Sequence, residues 1–212
     1  MQTTKMTIFS VMGLFLLATG SASAEDSLLK LMQKLKSEPM SKVAYQETRN
    51  LKLLAQAWHG SGYLYALPPE LMIREQLKPE RVLMGVKGDQ ALYFDPGKNE
   101  RHQVDLHDDN ELNAPLTVFK AIVTADEALL RSVYNIIFTS HSTNWQMELM
   151  PKQKGGAVNR IYVSGRTGQE VDKITVLQED GDNSEFTLQK ESGNAKNNSG
   201  NISSLYQELA GE

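Results

Sequence analysis

GSGYLYALPPELMIREQLKP, residues 60–79, is the stretch whose reading decides the fold. It reads as a strand, a tight corner and a second strand. Gly60 and Gly62 loosen the approach, and Tyr63, Leu64, Tyr65, Ala66 and Leu67 are β-type or apolar. Pro68-Pro69 stops that strand, because neither residue can donate to a ladder. Residues 71–77 then alternate: Leu71, Ile73, Glu75 and Leu77 on one face, Met72, Arg74 and Gln76 on the other. Two strands with this much apolar surface need a cover. The expectation is a curved sheet whose concave side holds an apolar ligand.

Outward from there, the same period of two recurs along the chain. Residues 43–50 alternate before the central stretch, and short strands follow at 81–85, 91–94 and 102–106. The sequences Lys87-Gly88-Asp89-Gln90 and Asp95-Pro96-Gly97-Lys98-Asn99 between them are hairpin signals. Strands return at 134–139, 145–150, 160–164, 171–177 and 185–188, separated by Gly-rich turns. Consecutive strands joined by tight turns predict an antiparallel meander rather than a βαβ sheet.

Helical spacing appears in three places. Leu28, Leu29, Leu31, Met32 and Leu35 repeat at helical spacing, with Asp26 or Ser27 as N-cap and Pro39 as terminator. Burial of this face on the chain's own sheet is the favoured use. Pro115 opens a second helix carrying Leu116, Val118, Phe119, Ile122 and Val123. Thr124-x-x-Glu127 fits a capping box for a third, with Ala128, Leu129, Leu130 and Val133. The last two read as plugs or lids on a half-open sheet. Residues 192–200 are polar and expected to be mobile. Ile202, Leu205, Tyr206 and Leu209 suggest a final weak helix or edge segment.

The chain's start reads differently. Lys5, an apolar run over residues 8–18 and Ala22-Ser23-Ala24 form a secretory signal peptide, with cleavage expected after Ala24. The apolar run is too short to span a bilayer. With no cysteine near the cleavage site, a lipid-anchored product is not expected. An exported chain without cysteine must rely on its core rather than on disulfides. The net charge of −4 and the lack of a basic run argue against nucleic acid and anionic membrane surfaces as partners.

These pieces, in this order, resemble the periplasmic outer-membrane lipoprotein carriers, the LolA-like family. Tyr45-Gln46-Glu47 is similar to that family's early aromatic-x-Gln/Glu strand. Gly62-Tyr63-Leu64-Tyr65, Pro69 and Leu71 are similar to its Gly-x-Leu-aromatic strand and proline corner. Pro79-Glu80, Gly88-Asp89, Tyr93-Phe94-Asp95-Pro96, the run WQMELMP at 145–151 and the turn at 179–182 follow in the family's sequence. The resemblance covers about 150 residues by the spacing of these motifs.

The resemblance implies an α+β fold: a curved antiparallel half-open β-barrel of about 10–11 strands closed by short helices. It implies a domain over residues 25–190, after a signal peptide over 1–24 and before a polar C-terminal tail over 191–212. It implies no reaction and no cofactor. The implied role is a periplasmic carrier that takes acyl chains in a hydrophobic cavity and shuttles them towards the outer membrane. The implied cargo is an acylated lipoprotein or (glyco)lipid, received from an inner-membrane donor and passed to an outer-membrane acceptor by a monomer. Flexible Met32, Met40, Met72, Met84, Met147 and Met150 suit either a core or an adaptable pocket. The expected lipid-binding residues are Tyr63, Tyr65, Leu71, Ile73, Met84, Tyr93, Leu116, Phe119, Ile122 and Leu129. One feature departs from the family. The carriers have an arginine before the corner proline that helps hold the lid closed, and Pro68 stands there instead.

Two other readings remain beside the carrier. The first is a non-catalytic cell-envelope adaptor, which predicts a packed interior and an exposed apolar patch. The second is a periplasmic metal-binding or hydrolytic protein using residues 101–111, where His102, Asp105, His107, Asp108, Asp109 and Glu111 cluster. That spacing matches no established metal motif, and the chain has no Gly-x-Ser-x-Gly elbow. Glu47 and Arg49, on one strand face with Tyr45, read as a surface ion pair, with an internal pair or head-group contact as the alternative.

Overall fold

The computed structural model describes residues 21–37, 42–67, 71–105, 118, 120–122, 125–167, 171–190 and 195–212. Eleven strands form one antiparallel sheet. They are β1 (Lys42–Asn50), β2 (Trp58–Leu67), β3 (Leu71–Lys78), β4 (Val82–Lys87), β5 (Gln90–Asp95), β6 (Glu100–Asp105), β7 (Tyr134–Ser140), β8 (Asn144–Pro151), β9 (Val158–Arg166), β10 (Val171–Gln178) and β11 (Asn183–Lys190). Their order is β6-β5-β4-β3-β2-β1-β11-β10-β9-β8-β7. Each half is a meander of hairpins, and the pairing of β1 with β11 joins the halves. The sheet stays open, with β6 and β7 at its edges. Each expected strand is present.

Turn chemistry sets the register. Gly88 adopts a left-handed φ of 59° in the two-residue loop between β4 and β5. Asn99 does the same, at 53°, in the loop before β6. Gly62 has a different task. It faces Tyr45 across the β1–β2 ladder and sits at a register shift between β2 and β3. A Cβ there would collide with the carbonyl of Glu75.

One face of the sheet carries α1 (Ser21–Ser37), the helical residues 118 and 120–122, and α2 (Glu127–Val133). Leu28, Leu31, Met32 and Leu35 of α1 join Val118, Ala121, Ile122 and Leu130 in one apolar cluster. The cluster also takes Val43, Leu64, Met72 and Val86 from one half of the sheet and Met147, Ile161, Val163 and Ile174 from the other. The helices thus pack on strands from both halves of the curved sheet. The N-terminal helix is therefore buried on its own sheet, as expected. The cap of α2 is a correction: Asp126, rather than Thr124, accepts the Leu129 N–H at 2.9 Å. Thr124 itself lies outside the described residues.

The other face is covered as well. Helix α3 (Ala195–Ala210) lies over β2–β5. Its Ile202, Leu205 and Leu209 pack on Tyr65, Ile73, Leu83 and Phe94 in a second cluster. Residues 195–210 are thus part of the packed body, and the tail expected over 191–212 is a docked helix in its larger part. Apolar spacing at 202, 205 and 209 on a helical stripe, against an otherwise bare strand face, is the physical reason.

Candidate functional site

Strand alternation assigns every sheet residue to a face. Cross-strand partners share a face, so Leu64, Arg74, Met84, Tyr93 and His102 form one row across β2–β6 on the side of α1 and α2. Exposure increases along that row. Leu64 is buried, Arg74, Met84 and Tyr93 are half-buried, and His102 is exposed at the sheet edge. Tyr93 and His102 have ring centroids 5.8 Å apart.

The expected lipid-binding residues divide between the two faces. Met84 and Tyr93 lie on the helix-covered face, Ile122 is buried in its cluster, and Leu129 packs against that cluster. Tyr63, Tyr65, Leu71 and Ile73 lie on the opposite face, in and around the cluster under α3. The structure does not bring these four together with Ile122 and Leu129. The cause is parity: β2 and β3 are apolar on both faces, and a one-residue choice of face inverts the whole set. Leu116 and Phe119 lie outside the described residues. Sequence reasoning passed over Leu64, Met72, Val86 and Leu130, which complete the helix-covered face. The signal was present as the other half of the same alternation.

The helical cover is tied down at two places. Lys120 donates from Nζ to the Gly88 carbonyl at 2.8 Å and lies 3.9 Å from the Asp89 carboxylate in the β4–β5 turn. Lys152, just beyond β8, donates to the Val133 carbonyl through its backbone N–H and to the Arg131 carbonyl through Nζ. Among the described residues the covered face is closely packed: Leu28, Met32, Val118, Ile122 and Leu130 are all 3% exposed or less. Pro68 lies outside the described residues.

Charge is buried on this same face. Glu47, on β1, is 1% exposed. Its Oε1 accepts Arg49 Nε at 2.5 Å, and its Oε2 accepts Arg74 Nη2. The internal ion pair, not the surface pair, is what forms. Arg74 Nη2 also donates to Gln76 Oε1 at 3.1 Å, and Nη1 meets the Met84 sulfur at 3.4 Å. The Arg74 guanidinium lies 5.0 Å from the Tyr45 ring centre, and that of Arg49 lies 4.7 Å from Trp58. Burial pushes the Tyr45 phenol above its ordinary range, against the lowering pull of Arg74. Tyr134, in the same cluster, is pushed up to about 12 by burial.

A second ionic group ties α3 to the other face. Arg81 bonds Glu75 Oε1 through Nε and Nη2 and holds both oxygens of Glu208. Tyr65 donates to Glu75 at 3.1 Å. Arg101 donates to the Glu208 carbonyl at 2.8 Å. The Arg81 guanidinium holds the Glu208 carboxyl below the usual carboxylate range.

Elsewhere, a groove of about 530 Å³ opens near β7–β10, lined among others by Ile137, His141, Gln146, Glu148, Arg166 and Asp172. It is not the cavity expected beneath the 115–133 helices. No group of three or more His, Asp or Glu side chains among the described residues is placed to hold a metal. His102 pairs with Glu100 at 2.6 Å, whereas His107, Asp108, Asp109 and Glu111 lie outside the described residues.

The family described as outer membrane lipoprotein carrier protein LolA-like matches this chain over residues 19–205. The chain belongs to that LolA-like family. Comparison with curated proteins finds none that matches it. Among solved structures, the LolA-like chain is similar to the LolA superfamily protein NE2245 from Nitrosomonas europaea. The TM-score is 0.41 and the identity 10%, over 81% of this chain and 95% of that one. An uncharacterized conserved protein from Thermus thermophilus gives a TM-score of 0.49 and 9% identity, over 82% and 93% of the two chains. The Pseudomonas aeruginosa MucA/MucB complex gives 0.41 and 11%, over 77% of this chain and 55% of that one. The open eleven-stranded antiparallel sheet with its short helices is the LolA-like fold.

Proposed function

We propose that this LolA-like protein is an exported, non-catalytic periplasmic carrier. It binds the acyl chains of a lipoprotein or lipid on the helix-covered face of its sheet and carries them towards the outer membrane. The supporting observation is the cover itself. A continuous apolar face, from Leu64 and Met72 to Ile161 and Val163, is closed by separate short helices rather than by a second sheet. Short helices can leave such a face without breaking a ladder. Acyl chains then replace the helix contacts, and each buried CH₂ contributes about 0.8 kcal/mol. Met32, Met72 and Met147 on that face give the lining adaptability. In the closed form the same volume is filled by the helices' own side chains, so the carrier cycle requires the cover to move.

The test is native mass spectrometry of the mature protein purified from its own periplasm, followed by lipid extraction. A co-purified acylated molecule released on denaturation is the expected result. It would name the cargo, whether lipoprotein, glycolipid or other lipid. An empty protein that takes up no acyl probe overturns the carrier reading. The filled interior favours a second reading, a cell-envelope adaptor that binds a partner protein through its surface.

A further inference from the structure

Among the described residues, the charges of the ionic group on the helix-covered face do not balance, although only Glu47 and Arg74 are largely buried. Glu47 supplies one carboxylate, and Arg49 and Arg74 supply two guanidiniums. Arg49 is the more exposed, with 37% of its side chain accessible against 14% for Arg74. Arg74 has five donor hydrogens. Nη2 reaches Glu47 and Gln76, but Nη1 has only the Met84 thioether, a weak acceptor. Among the described residues, buried Nε has no hydrogen-bond acceptor, and the Tyr45 hydroxyl beside it meets nothing except this guanidinium. Buried donors of a charged group left without an oxygen acceptor are costly, and native interiors rarely keep them.

The surroundings say what would satisfy them. Arg74 begins the half-buried part of the row that leads through Met84 and Tyr93 to the exposed edge at His102. A ligand lying along this row meets an aromatic ring, a thioether and then a guanidinium fork. That fork matches a carboxylate or phosphate group.

We propose that Arg74 is a head-group anchor, selecting acyl cargo that carries an anionic oxygen group, a carboxylate or a phosphate, next to its chains. This rests on the carrier reading above and names the chemical class of its cargo. Glu47 holds the fork in place, and the second guanidinium, Arg49, keeps the site positive. The free protein therefore keeps a cationic site within an apolar face, and a neutral lipid leaves it unpaired.

The experiment is displacement of the neutral probe N-phenyl-1-naphthylamine by three ligands of equal chain length: dodecanoate, dodecyl phosphate and methyl dodecanoate. The expected result is that at least one anion binds about tenfold or more tighter than the ester. The anion that does so tells whether the cargo is carboxylate- or phosphate-bearing. In Arg74→Gln, which leaves Glu47 paired with Arg49 and the site without net charge, the advantage disappears and the three bind within about twofold of one another. Equal binding of anions and ester to the wild type overturns the anchor and leaves the carrier standing. An anionic advantage that persists in Arg74→Gln also overturns the anchor. Failure of the wild type to bind the probe or any of the three ligands overturns carrier and anchor together.

Discussion

Arg81, which precedes β4, and Glu208, in the last turn of α3, meet in a two-pronged ion pair, with Nη1–Oε1 at 2.5 Å and Nη2–Oε2 at 2.9 Å. It fastens the end of the chain to a strand more than a hundred residues earlier, beside the Leu209 contact. The Glu208 carboxyl titrates below its ordinary value of 4.5 because it accepts from Arg81. A carboxyl lowered in the folded state stabilises the fold above its unfolded value. That contribution is lost as pH falls through the lower, folded value. Glu208→Gln should therefore lower the melting temperature at neutral pH, with the gap to wild type closing below pH 4.5. Over a third of each side chain is exposed, so the effect is about 1 kcal/mol or less. A gap that stays constant from neutral to acid pH contradicts this.

Leu209 is 1% exposed and rests where Gly85 leaves room; a Cβ on Gly85 would come within 2.6 Å of Leu209 Cδ2. Leu209→Ala should cost about 2–4 kcal/mol in urea unfolding. Gly85→Val should dislodge α3 and increase binding of an apolar dye, since Tyr65, Ile73, Leu83 and Phe94 lose their cover. Dye binding equal to wild type would mean that the helix tolerates the branch.

Glu47→Ala strands two guanidiniums, one of them largely buried. Loss of a buried partner costs about 3–5 kcal/mol. Arg49→Ala should cost clearly less, because Arg49 is more exposed and Arg74 still neutralises Glu47. Chemical denaturation of the two variants checks the ranking, and a reversal would move the weight of the network from Arg74 to Arg49.

Gly62→Ala forces a methyl group into the Glu75 carbonyl at the β2–β3 register shift. The expected loss is about 1–3 kcal/mol by thermal or urea melting. Full wild-type stability would show that the register shift can relax to make room.

The chain has no cysteine, so an introduced pair is the sole thiol chemistry present. Lys120→Cys/Asp89→Cys joined by a short bis-maleimide should pin the cover to the β4–β5 turn. Uptake of a fluorescent acyl probe should fall at least tenfold relative to the same variant left unlinked. Undiminished uptake would place the moving part elsewhere.

Much of this architecture was legible because it is local. Alternation and hairpin turns such as Gly88-Asp89 mark strands within a few residues, and ten or eleven strands followed from them. The site was less legible. On β2 and β3, Tyr63, Tyr65, Leu71 and Ile73 look as suitable for an apolar lining as Leu64 and Met72 do. The expectation of one cover left no way to choose between them. The ordinary rarity of buried charge points Glu47 to the surface, because its partner Arg74 lies on another strand.

The sequence by itself determined an antiparallel meander of ten or eleven strands, the helical stripes and the LolA-like family. Periodicity and turn chemistry act over a handful of residues and survive in any packing. Only the tertiary structure decided which face each helix covers, that residues 195–210 form a docked helix, and that Glu47 and Arg74 share a buried contact. Those outcomes depend on surfaces far apart in the chain. An alternating strand specifies two faces but not their neighbours, so the choice belongs to long-range packing of apolar area and pairing of buried charge.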